Sequence, residues 1–114
     1  MSAGRETTFQ KRVLSDLASL PHCEAIKVSQ RSKRGDADVV GCLSGHFFAL
    51  ELKADEYEQA DLLQLHKLSR WRRAGGIAYV AFPGNWPGVL EELKRKCQRK
   101  LLEQKNFGEK SGAS

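Results

Sequence analysis

Asp38, Glu51 and Lys53 are the residues of this 114-residue chain whose types and spacing could do chemistry. Glu51 and Lys53 close an apolar run, Phe47-Phe48-Ala49-Leu50-Glu51-Leu52-Lys53. Side chains of an extended strand alternate between faces, so Phe48, Leu50 and Leu52 share one face, and Glu51 and Lys53 share the other with Phe47 and Ala49. Charges at the end of an apolar strand ask for a partner. Asp38 stands near the start of the preceding strand of the same hairpin, and a suitable register would bring it beside Glu51. Two adjacent carboxylates repel, and a divalent cation relieves the repulsion. Mg²⁺ in particular takes one or two carboxylates while keeping waters and phosphate oxygens. Such an ion polarises a phosphate ester and lowers the pKa of an attacking water. Lys53 could orient that water or stabilise the charge that develops on the phosphate. Replacing Asp38 or Glu51 by Ala is expected to remove a ligand rather than packing. The blander reading of the same residues is an ion pair at a strand end, with Asp38 closing a turn, since exposed ion pairs are common and weak.

Two helical patterns add polar groups that point inward. At about 100° per residue, Glu6 falls between Val13 and Leu17 on the apolar face of a first helix. On a second helix the same construction sets Gln64 between Trp71 and Leu68, with Lys67 at the margin beside Ala60 and Ala74. Taken singly, each is explained by a side chain reaching water or bonding backbone. Inward polar positions on several elements are harder to dismiss together.

The elements that must position these residues follow from periodicity. Glu6 to Leu20 reads as an amphipathic helix stopped by Pro21. Glu24 to Gln30 alternates as a half-buried strand, and Arg31 to Asp36 is a basic turn. Ala37 to Leu43 and His46 to Lys53 form an antiparallel pair joined at Ser44-Gly45. A helix from about Glu58 to Ala74 ends at Gly75-Gly76. Ile77 to Phe82 is a wholly apolar strand, the pattern of a central position in the sheet. A last helix begins near Pro87, with Leu90, Leu93, Cys97 and Leu101 along one stripe. Residues 1–105 thus make one domain, and 106–114 a polar tail expected to be disordered. The fold class is α/β, a mixed four-stranded sheet flanked by helices, in which a crossover helix lets the third and fourth strands run parallel.

Composition places the chain among ordinary globular proteins, at 40% hydrophobic and 29% charged. Its apolar runs are too short to span a bilayer, and the start lacks an apolar signal core. The compartment expected is the cytoplasm. Cys23, Cys42 and Cys97 make an odd, widely spaced set that suits free thiols. Cys42 and His46 could be two zinc ligands, but a structural zinc site needs four. Nineteen Lys and Arg against fourteen Asp and Glu leave +5, which favours a polyanionic partner. Arg31, Lys33 and Arg34 form one basic cluster, Arg70, Arg72 and Arg73 another, and Lys94 to Lys100 a third.

These residues, taken in order, resemble a family. Glu6, then Gly35-Asp36-Ala37-Asp38, then Glu51-Leu52-Lys53, then Gln64 before Arg73-Ala74-Gly75-Gly76-Ile77-Ala78, resembles the PD-(D/E)XK nuclease superfamily, and within it the small stand-alone VRR-NUC domains of bacteriophages. The resemblance runs from Glu6 to about Trp86. It implies a restriction-endonuclease-like core and a Mg²⁺ site, with Mn²⁺ able to substitute, at Asp38 and Glu51 with the Leu52 carbonyl. It implies Lys53 as catalytic lysine and Glu6 and Gln64 as supporting residues. Ala37 departs from the proline of the superfamily name, at a position that shapes the turn rather than the chemistry. Arg31, Lys33, Arg34 and Lys67 are the expected DNA contacts. The likeness suggests a structure-specific endonuclease, a homodimer acting on branched DNA such as a Holliday junction. Two other readings remain open: a DNA-binding module that keeps the fold without catalysis, and a nuclease directed at RNA. No aromatic-rich single-strand platform is visible, which favours DNA.

Overall fold

A computed structural model describes residues 2–28 and 37–97, with side chains from Thr8 onward. The first helix, α1, spans Ser2–Ala18. Phe9, Val13 and Leu17 recur at helical spacing and are all buried. Two further backbone bonds, Ser19 N–H to Ser15 and Leu20 N–H to Leu17, tighten its end before Pro21.

Strands β1 (Cys23–Lys27), β2 (Val39–Leu43) and β3 (His46–Leu52) pair antiparallel in succession. Ser44 and Gly45 both take positive φ, 52° and 83°, the geometry whose twist matches that of a two-residue hairpin. Gly41 is required in β2, because a Cβ there would meet the Glu24 carbonyl and the Phe48 ring. Helix α2 (Leu62–Arg73) crosses over to β4 (Ile77–Ala81), which runs parallel to β3 in the register Phe48 opposite Ile77. A last helix, α3, occupies 86–97 of the described residues.

Among the described residues the sheet order is β1-β2-β3-β4, so β4 lies at an edge of that sheet and not centrally as its apolar run suggests. The reason is that the run reports burial on two faces, not strands on two sides. Ile77 and Ala81 pack in the larger core with α1 and α3, while Ala78 packs under α2 with Leu68 and Ala49. The carbonyl of Ala78 is held by Arg72, whose Nε and Nη2 both donate to it. One of the three basic residues at the end of α2 therefore supports the sheet.

The two faces differ in size. Phe48, Leu50 and Leu52 meet Phe9, Val13 and Leu17 of α1, and Trp86, Val89, Leu93 and Cys97 of α3. The α3 stripe thus includes Val89 where Leu90 is expected, and Leu90 is only half-buried. Trp86 stacks edge-on against Phe9 and donates its indole N–H to Asp16. The opposite face is small, built on Ala37, Ala49, Leu68 and Ala78. There α2 packs over β3 and β4 and leaves β1 bare, so Ile26 is 64% exposed despite the alternating pattern of its strand.

α2 begins three to four residues later than periodicity suggests, because Asp61 caps it. The Asp61 carboxylate accepts the Gln64 N–H, and the Gln64 side chain accepts the Asp61 N–H, a reciprocal capping box. The helix ends as its Gly-Gly pair requires. Gly75 takes φ 98°, its N–H bonds Arg72 and that of Gly76 bonds Trp71, the two bonds of a Schellman motif.

Candidate functional site

At the carboxyl end of β3 the alternation of the strand turns Glu51 and Lys53 toward α2, away from the Phe48-Leu50-Leu52 face. Asp38 arrives from the residue before β2. Its backbone is anchored on both sides: Val28 N–H donates to Asp38 O, and Asp38 N–H donates to Leu50 O. Its carboxylate Oδ2 accepts the Leu52 N–H at 2.8 Å. Where β2 has already turned away, a side chain supplies the acceptor that a strand neighbour would have supplied. N–H and C=O of one strand residue emerge on the same edge, so the Leu52 carbonyl opens toward the side where Asp38 stands.

Both carboxylates and the lysine are withdrawn from water, with relative exposures of 4% for Asp38, 2% for Glu51 and 9% for Lys53. Lys53 Nζ lies 3.4 Å from Glu51 Oε1, so the expected ion pair exists, but not as an exposed one. Gln64 completes the group. Its Nε2 donates to Glu51 Oε1 and its Oε1 accepts Lys53 Nζ at 3.2 Å. The Lys53 backbone N–H donates to Ala81 O and ties this corner to β4.

Asp38 and Glu51 thus stand beside Lys53 in a corner withdrawn from water, where groups of this kind are costly to bury unless they are partnered. Among the described residues no three His, Cys, Asp or Glu side chains converge as a metal site. Two carboxylates with a backbone carbonyl are the hard-oxygen set that suits Mg²⁺ and leaves room for water and phosphate oxygens. The donor chemistry fits that ion.

The structure brings together Asp38, Glu51, Lys53, Leu52 and Gln64. Glu6 lies in α1, whose apolar residues pack on the opposite face of the sheet from Gln64. The Glu6 side chain is outside the described residues, as are Arg31, Lys33, Arg34, Arg99 and Lys100 of the third basic cluster, and the 106–114 tail; Lys94 and Arg95 pair with Glu91 and Glu92 along α3. Lys67 is half-buried, one turn beyond Gln64 on α2. Asp61 was not singled out by sequence reasoning. Its signal was the spacing Asp61-x-x-Gln64, a capping box written in the sequence.

Cys42 and His46 do not make a zinc pair. Cys42 sits opposite Phe47 and His46 opposite Leu43, which puts their side chains on opposite faces of the hairpin. Among the described residues none of the three cysteines forms a disulfide. Burial raises the Cys23 pKa, with the Glu24 carboxylate and the Cys42 thiol adding to the rise.

No family model matches the chain, and no curated protein does. A solved structure described as a VRR_NUC domain is similar to it, with 26% identity over 78% of this chain and 92% of that one, at a TM-score of 0.58. The α/β class, the mixed sheet flanked by three helices and the likeness to VRR-NUC domains are as expected from the sequence. No helix among the described residues is long and apolar enough to cross a membrane.

Proposed function

We propose that the chain is a VRR-NUC-type nuclease, an Mg²⁺-dependent endonuclease that hydrolyses DNA phosphodiester bonds. One observation carries the reading: two buried carboxylates and a buried lysine gathered at one strand end, held by Gln64. Glu51 alone would satisfy an ion pair with Lys53, and Asp38, which also accepts the Leu52 N–H, adds the second hard-oxygen donor that a divalent ion takes. A non-catalytic DNA-binding module would gain nothing from two anions where the phosphate must lie.

Asp38 and Glu51, with the Leu52 carbonyl, would hold the metal, and Mn²⁺ would serve in its place. When bound, the ion would supply Lewis acidity toward the phosphate and a more acidic water. Lys53 would stabilise charge developing on the phosphate, a term that is large in a water-poor site. Gln64 keeps Lys53 and Glu51 in fixed relation before substrate arrives. Lys67 would meet the DNA backbone beside the site, with Arg31, Lys33 and Arg34 as further phosphate contacts.

Cutting both strands of a branched DNA such as a Holliday junction calls for two such sites, and a homodimer supplies them. The soluble cytoplasm of a bacterium or a phage-infected cell is the setting proposed.

Incubating the protein with duplex, single-stranded, flap and four-way-junction DNA, and with RNA, in Mg²⁺, Mn²⁺ or EDTA tests all of this. Cleavage of branched DNA that stops in EDTA is the expected result. Binding without cutting in any metal would make the chain a DNA-binding module, and preferential cutting of RNA would move the substrate class.

A further inference from the structure

The first turn of α2 and the acidic corner are joined through one side chain. The Gln64 amide oxygen accepts two hydrogen bonds, from the Asp61 backbone N–H at 2.9 Å and from Lys53 Nζ at 3.2 Å. Its amide nitrogen donates to Glu51 Oε1. Asp61 holds the other end, its Oδ1 accepting the Gln64 N–H at 2.8 Å. An amide oxygen has two lone pairs, and here one serves the helix end and the other the lysine. The helix side thereby sets which way the amide faces. A flipped amide would put an NH₂ against the Asp61 N–H and the Lys53 ammonium, donor against donor, and its oxygen against the Glu51 carboxylate.

The residue type carries the same message. A capping box is served by Glu as well as by Gln at this position. Glu would place a third carboxylate against Glu51 and offer it no donor. The cap alone does not explain the amide, whereas the corner does.

We infer that Asp61 is a positioning residue for the phosphodiester chemistry proposed above, acting through Gln64 on Lys53 and Glu51. The inference rests on that reading and adds a residue outside the metal and phosphate contacts proposed there.

The test uses the full chain and the variants Asp61→Ala, Asp61→Asn and Leu62→Gly. Two quantities are measured: the Gln64 side-chain NH₂ resonances, and single-turnover cleavage of four-way-junction DNA beside its binding constant. Asp61→Ala should move the Gln64 resonances and slow cleavage by about tenfold or more with binding nearly unchanged, because small misplacements of catalytic groups are costly in rate. Asp61→Asn, an equally good cap, should restore both. Leu62→Gly loosens the same turn through its backbone without touching the box, and should cut within a few-fold of wild type. A wild-type rate in Asp61→Ala, or equal slowing in Leu62→Gly, would assign Asp61 to helix stability alone. Unmoved Gln64 resonances in Asp61→Ala overturn the inference whether or not the protein cuts DNA. Failure of the wild type to cut any DNA sinks the nuclease reading instead.

Discussion

Lys53 Nζ and Glu51 Oε1 stand 3.4 Å apart with both side chains nearly removed from solvent. An exposed pair of this kind would contribute only about 0 to 1 kcal/mol. Removing one partner of a buried pair is a different matter, costing about 3 to 5 kcal/mol through the charge left behind.

Lys53→Met should therefore lower both stability and rate. The sequence alone suggested that a lysine serving only as an ion-pair partner could be lost cheaply, and burial removes that option. Below the variant's melting midpoint, single-turnover cleavage is expected to fall by roughly 100-fold or more, by analogy with loss of one oxyanion donor. DNA affinity should change much less. Cutting within a few-fold of wild type in a folded Lys53→Met protein would leave the nuclease reading without its lysine.

Glu51→Gln and Asp38→Asn are cleaner than substitutions by Ala. Asp38→Ala leaves the buried Leu52 N–H without its side-chain acceptor, at a cost of about 1 to 3 kcal/mol, so the expectation that Ala would spare the fold does not hold for Asp38. The amide variants keep an acceptor in place and remove a charge. Each should remain folded by circular dichroism and lose metal-dependent cutting. Activity retained in both would refute the carboxylate site.

Saturating Mg²⁺ or Mn²⁺ should raise the melting midpoint of the wild type. An ion at 100 times its dissociation constant contributes about 2.7 kcal/mol if it binds only the folded state. Glu51→Gln should lose most of that shift. Equal shifts in the two proteins, read by differential scanning calorimetry, would place the ion elsewhere.

Ala at Arg31, Lys33 and Arg34 together should weaken binding to every DNA sequence and flatten its dependence on salt. Each lost phosphate contact should lower the slope of log K against log salt by about 0.9 on duplex DNA. An unchanged slope by fluorescence anisotropy would put the DNA on another surface.

Thiol labelling checks the sheet. Exposed Cys42 should react first. Cys23 should follow slowly at neutral pH, because burial, Glu24 and the Cys42 thiol all raise its pKa and keep it protonated. Buried Cys97 should react only on unfolding. Early labelling of Cys97, followed by mass spectrometry, would contradict the packing of α3.

Much of the site was legible in the order of residues, because its geometry is local. The two-residue period of β3 alone turns Glu51 and Lys53 to one face, and the tight turn at Ser44-Gly45 sets which residues of β2 meet β3. Gly75-Gly76 announced the end of α2 for a reason equally local, a positive φ. Other properties depend on what covers what, which no local period records. An apolar run in β4 looks the same whether its faces are covered beside two strands or, as here, at an edge between helices. Cys42 and His46 are close in sequence, and only the hairpin register separates them to opposite faces. Only the packing of α2 on β3 turns a strand-end ion pair into a buried one and brings Gln64, with Asp61 behind it, onto Glu51 and Lys53.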